Sequence, residues 1–128
     1  PFYAGEMTTG IAGDAGTEWL IDAFGCDPAR LASADALRQI FDRVIAELEL
    51  KPVAPAVFHT FPGAGGVTGF VMLAESHLSC HTFPETGFAA FDLYCCRERP
   101  DWDWDGALAK TLGAARVTVR RVSRGAAS

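Results

Sequence analysis

The chain has 128 residues and a mass of 13.7 kDa, which suits a single ordinary domain. Hydrophobic residues make up 49% and charged residues 21% of the sequence, a balance typical of a globular protein rather than a disordered one. The formal net charge of -5 disfavours a protein that grips a phosphate backbone, so we expect no nucleic-acid partner. Because no apolar run approaches the ~20 residues of a membrane span, we expect no membrane partner either.

Hydrophobic periodicity and turn residues predict seven elements in the order β-α-β-β-β-α-β. The predicted elements are a strand at Thr17–Phe24, a helix capped by Ser33, strands at Val53–Phe61, Val67–Ala74 and Phe88–Cys96, a helix at Trp104–Leu112 and a strand at Arg116–Val122. Residues 62–66 form a turn in this prediction, and Glu75–His81 is a short polar connection between strands.

This order predicts an α+β fold, a two-layer sandwich with a mostly antiparallel sheet and two helices on one face. We expect one domain at residues 17–124, between flexible segments at residues 1–16 and 125–128. If the other sheet face is apolar, a second copy of the chain is one way to cover it. The four cysteines need not form disulfides in a chain this rich in core residues, so we expect free thiols and a cytoplasmic protein.

Reactive side chains are concentrated in one short window of the sequence. The window holds Glu75, Ser76, His77, Ser79, Cys80, His81 and Glu85, and Cys95 and Cys96 follow on the next predicted strand. His77, Cys80, His81 and one later thiol could bind zinc, although adjacent cysteines do not easily supply two ligands to one ion. A serine hydrolase is a second interpretation, but the Gly-x-Ser-x-Gly motif is absent around Ser76. The window could also be a plain connection beside buried cysteines, or Ser76 could cleave its own main chain.

The last interpretation comes from a resemblance. Residues 66–96 read GVTGFVMLAESHLSCHTFPETGFAAFDLYCC and resemble the bacterial and archaeal S-adenosylmethionine decarboxylase proenzymes. That family has a Gly-Val-Ser-Gly motif, then Ala-Glu-Ser-His, His-Thr-Trp-Pro-Glu, Gly-Tyr-Ala-Ala-x-Asp and a cysteine. The similarity extends more weakly to residues 20–27 and covers most of residues 17–124.

The resemblance implies a role for each matching residue. Glu75–Ser76 is the implied autocleavage bond, and Ser76 becomes the pyruvoyl group that forms a Schiff base with the substrate. His81 assists processing, as does Thr68, which stands where the family usually has serine, and Cys96 donates a proton to the decarboxylated carbon. Phe83, in place of the family's usual tryptophan, and Phe61 stack on the adenine, while Glu85 holds the ribose hydroxyls.

The resemblance therefore implies a pyruvoyl-dependent carboxy-lyase that decarboxylates S-adenosylmethionine for spermidine and other polyamine biosynthesis. It also implies a zymogen that assembles as a homodimer or a higher homo-oligomer with its sites near the interface. Decarboxylation needs an electron sink. The chain has no lysine in a credible pyridoxal phosphate pocket, so we do not expect that cofactor. The poor spacing of the possible zinc ligands leads us to expect no metal. An ornithine or arginine decarboxylase of the same family, and an unprocessed binding or regulatory homologue, stay open as alternatives.

Two face assignments follow from strand periodicity alone. If residues 67–76 are one extended strand, Thr68 and Ser76 project from the same face, as joint action requires. In the strand that ends at Cys96, alternation assigns Cys95 to the apolar side and Cys96 to the polar side, which agrees with Cys96 as the proton donor. Ser76 and His81 have opposite parity, so a bulge or turn must intervene if both contact the substrate.

Overall fold

The computed structural model describes residues 15–125, which form one six-stranded sheet covered on one face by helices. The strands are β1 (Gly16–Phe24), β2 (Val57–Thr60), β3 (Val67–Leu73), β4 (Ser76–Phe83), β5 (Phe88–Cys95) and β6 (Arg116–Arg124). Their order across the sheet is β2-β3-β4-β5-β1-β6, and every pair of neighbouring strands is antiparallel. The predicted α+β sandwich is therefore confirmed.

Three helices, α1 (Pro28–Leu31), α2 (Ala34–Glu47) and α3 (Trp104–Leu112), form the second layer. The Ser33 hydroxyl caps α2 by accepting a hydrogen bond from the Ala36 amide, as the sequence predicts. Asp103 caps α3 in the same way, and Gly113 ends it in the left-handed conformation that glycine adopts without strain. The sequence does not predict the short helix α1, because it is a single turn of four residues that begins at Pro28 and is too short to show helical periodicity.

The core lies between the helices and one face of the sheet. The apolar stripe of α2 packs there with Leu37, Ile40, Phe41 and Val44, all of them buried. The sheet contributes alternate residues of its four central strands, including Trp19, Ile21, Val71, Leu78, Phe91 and Leu93. The opposite sheet face, which we name the outer face, has no helix over it within residues 15–125 and exposes Phe70, Met72 and Val122.

The largest correction to the predicted elements is β4. The prediction treated Glu75–His81 as a polar connection, but Ser76–Phe83 is a central strand paired with β3 and β5. Leu78, Cys80 and Thr82 face the core, and the alternate positions hold His77, Ser79, His81 and the exposed Phe83. The alternation was hidden because a cysteine and a threonine hold two of the buried positions. The Thr82 hydroxyl is satisfied there, since it donates to the Leu31 carbonyl at 2.7 Å and accepts from the Val67 amide at 2.8 Å.

Strand β2 is shorter than the predicted Val53–Phe61. It covers Val57–Thr60, while Pro52 makes an isolated bridge to Leu73. Pro55 has no amide proton and so cannot extend the ladder toward Val53.

The expected flexible segments lie mostly outside the described residues, at residues 1–14 and 126–128. Of the remainder, Ala15 donates a main-chain hydrogen bond to Arg124 at 2.7 Å, and Gly16 begins β1. No helix within residues 15–125 is long and apolar enough to cross a membrane.

Candidate functional site

Ser76 is the first residue of β4, directly after a tight turn at residues 74–75. It pairs with Leu73 across the turn and with Cys95 of β5, and both of these neighbours are buried on the helix side of the sheet. The carbonyl of Glu75 accepts a hydrogen bond from the Cys96 amide at 3.2 Å. The predicted cleavage bond is therefore fixed against the end of β5.

The turn overturns one prediction. Residues 67–76 are not one extended strand, because the chain reverses at residues 74–75. Thr68 belongs to the outer face, whereas Ser76 has the register of the helix side. The expectation that Thr68 and Ser76 project from the same face is wrong for this reason.

A cavity of about 460 Å³, which we name the serine cavity, opens where Ser76 meets the end of β5. Its lining combines the predicted cleavage residues with two cysteines and several charged side chains: Glu49, Leu50, Lys51, Ala74, Glu75, Ser76, Cys95, Cys96, Arg97 and Arg99. The carboxylate of Glu75 accepts hydrogen bonds from Arg97 Nε at 2.6 Å and Nη2 at 3.4 Å.

The two adjacent thiols of the serine cavity differ in environment, as alternation predicts. Cys95 is buried, and burial raises its pKa to about 11. Cys96 is exposed beyond the end of the strand. Partial burial, followed by the nearby Glu75 carboxylate, raises the pKa of the Cys96 thiol above its ordinary value. Cys96 therefore keeps its proton at neutral pH and can act as an acid.

A second cavity of about 470 Å³, which we name the histidine cavity, surrounds Thr68 and His81. Thr68 Oγ1 and His81 Nδ1 lie 3.1 Å apart on neighbouring strands of the outer face. Two aromatic side chains, Phe61 and Phe83, and the Glu85 carboxylate line the same cavity. Both rings are more than two-fifths exposed, so their faces are available to a flat ligand.

The predicted site residues therefore form two groups rather than one. His81 lies five positions after Ser76 on a regular strand, which separates the two by about 16 Å at roughly 3.3 Å per residue. They also face opposite sides of the sheet, and the pairing of β4 with β5 continues without a bulge from Ser76 to Phe83. The bulge that would bring Ser76 and His81 together in one chain is absent from this strand.

The zinc interpretation does not fit this arrangement. Cys80 points into the core and is fully buried, whereas His77 and His81 belong to the outer face. No cluster of three or more His, Cys, Asp and Glu residues within the described part of the chain could hold a metal ion.

Sequence reasoning missed the cationic side of the serine cavity. Lys51, Arg97 and Arg99 come from two different loops, and their approach to Ser76 depends on the pairing of β4 with β5. Since β4 itself was not predicted, no sequence signal connected these side chains with Ser76. The residues around Ser76 do fit a pyruvoyl group made from Ser76 itself, because the Cys96 thiol lines the same cavity and the preceding Glu75 carbonyl is held by a hydrogen bond.

Comparisons with known proteins agree on one family. The family model described as S-adenosylmethionine decarboxylase matches residues 17–125. An S-adenosylmethionine decarboxylase proenzyme of Pyrococcus abyssi is 41% identical over 86 residues, which are 67% of this chain and 60% of the relative. A proenzyme of the same description from Caldicellulosiruptor saccharolyticus is 35% identical over 114 residues, 86% of this chain and 88% of the relative. The chain thus spans 60% of the length of the archaeal relative and most of the bacterial one.

A solved structure supports the same grouping. The adenosylmethionine decarboxylase of Aquifex aeolicus superposes with a TM-score of 0.76 at 26% sequence identity. The superposition covers 91% of this chain and 96% of that one, so the likeness extends over the whole sandwich.

Proposed function

Since the chain belongs to the S-adenosylmethionine decarboxylase family, we propose that it cleaves itself between Glu75 and Ser76 and then decarboxylates S-adenosylmethionine. One observation carries the proposal: Ser76 follows a tight turn, lines the same cavity as Cys96, and comes directly after a carbonyl that accepts a hydrogen bond from the Cys96 amide. The product would be an aminopropyl donor for polyamine synthesis. The free thiols of all four cysteines favour a reducing compartment, and we propose the cytoplasm.

Self-cleavage begins with attack of Ser76 Oγ on the carbonyl carbon of Glu75. The C–N bond of the peptide breaks, an ester forms, and the Ser76 nitrogen becomes a free amine. Loss of the Ser76 Cα proton then breaks the Cβ–Oγ bond and releases Glu75 as a carboxylate. Water replaces the nitrogen of the resulting dehydroalanine, which leaves as ammonia, so that a ketone remains at the new terminus. The Cys96 amide supports the first step, because a donor to the Glu75 oxygen stabilises the charge that develops there.

A pyruvoyl ketone at this position would supply the electron sink that decarboxylation of an amino acid requires. The chain's own residues supply the proton that replaces the lost carboxylate. Cys96 is suited to this role, because its thiol is exposed to the serine cavity and its pKa is raised. Cys95 is less suited, because it is buried beneath the sheet end.

The histidine cavity supports a nucleoside substrate. Phe61 and Phe83 offer exposed rings on which an adenine can stack, and the Glu85 carboxylate can accept hydrogen bonds from ribose hydroxyls. Ornithine and arginine lack both an adenine and a ribose and would leave these three residues unused. The cavity therefore favours S-adenosylmethionine over the smaller amino acids.

We also propose that a second copy of the chain completes each site. Within one chain Ser76 and His81 lie about 16 Å apart along β4 and face opposite sides of the sheet, so they cannot act on the same bond. The outer face, with its exposed Phe70, Met72 and Val122, supplies an apolar surface that a second copy could cover. A dimer in which each histidine cavity meets the other copy's serine cavity would assemble the two groups.

Two measurements test the proposed function. Denaturing mass spectrometry should find fragments that split between Glu75 and Ser76 in the wild type and only the intact chain in Ser76→Ala. Release of CO2 from carboxyl-labelled S-adenosylmethionine, ornithine and arginine then identifies the substrate. A wild-type chain that stays intact would contradict the proposal, and CO2 from ornithine or arginine alone would contradict the choice of substrate.

A further inference from the structure

The ion pair between Glu75 and Arg97 joins the predicted cleavage residue to the segment that follows β5. Its N–O distances of 2.6 and 3.4 Å give the two-pronged geometry that a guanidinium makes with a carboxylate. The side chains of Arg97 and Glu75 are 64% and 44% exposed, and pairs this exposed add little to the stability of a fold. Because the ion pair contributes little to the stability of the domain, we looked for a role of Arg97 in the chemistry of Glu75.

Three successive contacts attach residues 75–76 to residues 95–97. Ser76 pairs with Cys95 in the ladder, the Glu75 carbonyl accepts from the Cys96 amide at 3.2 Å, and the Glu75 carboxylate binds Arg97. The first two contacts involve main-chain atoms. The third contact is the only one of the three that uses side chains: the Arg97 guanidinium binds the carboxylate of Glu75. Glu75 is also the residue whose carbonyl Ser76 would attack.

We propose that Arg97 is a positioning residue for self-cleavage, an inference that rests on the proposed function. By anchoring the Glu75 side chain, Arg97 limits rotation of residue 75 and keeps its carbonyl against the Cys96 amide. The carbonyl carbon then stays within reach of Ser76 Oγ. Intramolecular attack depends steeply on the orientation of the reacting groups, so a contact that stabilises the fold only weakly can still change the rate.

The charges of the cavity are consistent with this role. The Glu75 carboxylate raises the pKa of the Cys96 thiol and the Arg97 guanidinium lowers it, so the pair acts on both the cleavage residue and the acid. Lys51 and Arg99 line the same cavity and add positive charge where the cleaved Glu75 acquires a second carboxylate. The serine cavity is thus cationic on the side that receives the released terminus.

The test compares the self-cleavage rates of the wild type, Arg97→Gln and Arg97→Lys, followed by mass spectrometry of freshly synthesised protein. We expect Arg97→Gln to slow cleavage by about tenfold and Arg97→Lys to restore part of the rate. Arg43→Gln is the matched control, because Arg43 forms an exposed pair with Glu47 at 3.2 Å on the far helix α2. It should cleave at the wild-type rate, and all variants should keep the wild-type melting temperature within a few degrees.

Two further readouts separate positioning from a general structural effect. Salt of about 1 M, which shortens the Debye length to about 3 Å, should slow the wild type and leave Arg97→Gln unchanged. Glu75→Gln should slow cleavage as Arg97→Gln does, and the double variant should be no slower than either single one. Hydroxylamine cleaves esters, so it can split the chain only after Ser76 has attacked Glu75. If Arg97→Gln slows the attack, hydroxylamine should not restore chain cleavage in this variant. Restored cleavage would mean that elimination is the slow step and would overturn the inference.

The outcomes distinguish the inference from the proposed function. A wild-type chain that never cleaves at Glu75–Ser76 overturns the proposed function and the inference together. A wild type that cleaves while Arg97→Gln cleaves equally fast overturns only the inference, as does additivity of the two single variants.

Discussion

The serine cavity and the histidine cavity have similar volumes, about 460 and about 470 Å³, but opposite chemical equipment. The serine cavity holds Ser76, which is the proposed nucleophile, together with the thiol of Cys96 and several cationic side chains. The histidine cavity holds a hydrogen-bonded Thr68–His81 pair, two exposed phenylalanine rings and one carboxylate. In the proposed function, the serine cavity carries out bond breaking and proton donation, and the histidine cavity assists self-cleavage and binds the nucleoside.

The separation of the two cavities follows from one turn. Because β3 and β4 are joined at residues 74–75, Ser76 lies at one end of the hairpin, and His81, which pairs with Thr68, lies toward the other. The odd separation of five positions between Ser76 and His81 adds a change of face. No rotamer change carries a side chain through a sheet, and for this reason the proposed cooperation of the two cavities takes place between copies of the chain.

The largest expected effect concerns this cooperation. We expect His81→Ala to remain intact when expressed alone, and Ser76→Ala as well. When the two variants are expressed together, mixed dimers contain one site with an intact Ser76 from one copy and an intact His81 from the other. We therefore expect cleavage to reappear in the His81→Ala chains only, as fragments resolved by mass spectrometry with a tag on one variant.

The control for this experiment mixes His81→Ala with the double variant Ser76→Ala/His81→Ala, which supplies no intact His81, so no chain should be cleaved. Rescue in that mixture, or none in the first, would show that the two cavities do not act across copies. Cleavage of His81→Ala alone at the wild-type rate would remove His81 from self-cleavage altogether.

A second prediction separates the chemistry within the serine cavity. Cys96→Ala should still cleave itself but lose turnover by about 100-fold or more, the usual range for a missing general acid. Cys26→Ala, which removes a buried thiol elsewhere, should keep its turnover. Equal CO2 release by Cys96→Ala and the wild type would reject Cys96 as the proton donor.

The pH dependence of turnover sharpens the assignment of the acid. The protonated thiol is the active form, and the pKa of Cys96 is raised by partial burial and by Glu75. Turnover should therefore persist through neutral pH and fall only as the pH rises through this raised value. Glu75→Gln removes the side-chain carboxylate that raises the pKa of Cys96. We therefore expect the alkaline fall of its turnover to occur at lower pH than in the wild type. The variant is assayed after its slower self-cleavage is complete.

A third prediction tests the hydroxyl of the histidine cavity. Thr68→Val keeps the branched shape but loses the hydrogen bond to His81 Nδ1, so we expect self-cleavage to slow by about tenfold. Thr68→Ser keeps the hydroxyl and should cleave at least as fast as the wild type. If Thr68→Val and Thr68→Ser cleave at the same rate, the hydroxyl takes no part in the reaction.

Much of the sandwich was predictable because its two longer helices and most of its strands follow simple rules. The apolar residues of α2 repeat at helical spacing, and Ser33 caps the helix. The residues of β5 alternate so regularly that the prediction of a buried Cys95 and an exposed Cys96 is confirmed. Strand β4 was missed because Cys80 and Thr82 occupy core positions where strong hydrophobic residues are the usual signal. A threonine is stable there only because Leu31 and Val67 satisfy its hydroxyl, and both partners are distant in sequence.

The arrangement of the candidate site was less predictable than its residues. The sequence motif indicated Ser76, His81 and Cys96, but their relative positions depend on where the chain turns. Missing the turn at residues 74–75 gave Thr68 and Ser76 the same face, and missing β4 concealed the approach of Arg97 to Glu75. Contacts between strands depend on register, which a single sequence specifies only through the pattern of buried residues.

The smallest expected effect concerns recognition in the histidine cavity. Phe83 exposes 42% of its surface there, and its ring is smaller than the indole that the family usually carries. We expect Phe83→Ala to raise the KM for S-adenosylmethionine by about fivefold, consistent with a stacking contribution of about 1 kcal/mol, and to leave kcat nearly unchanged. Phe83→Trp should lower KM, because the larger ring covers more of the adenine.

The control for a general loss of apolar surface is Val57→Ala, which truncates an exposed apolar side chain on the edge strand β2. An unchanged KM in both Phe83 variants would mean that the histidine cavity binds no adenine. The argument that favours S-adenosylmethionine over the smaller amino acids would then fail.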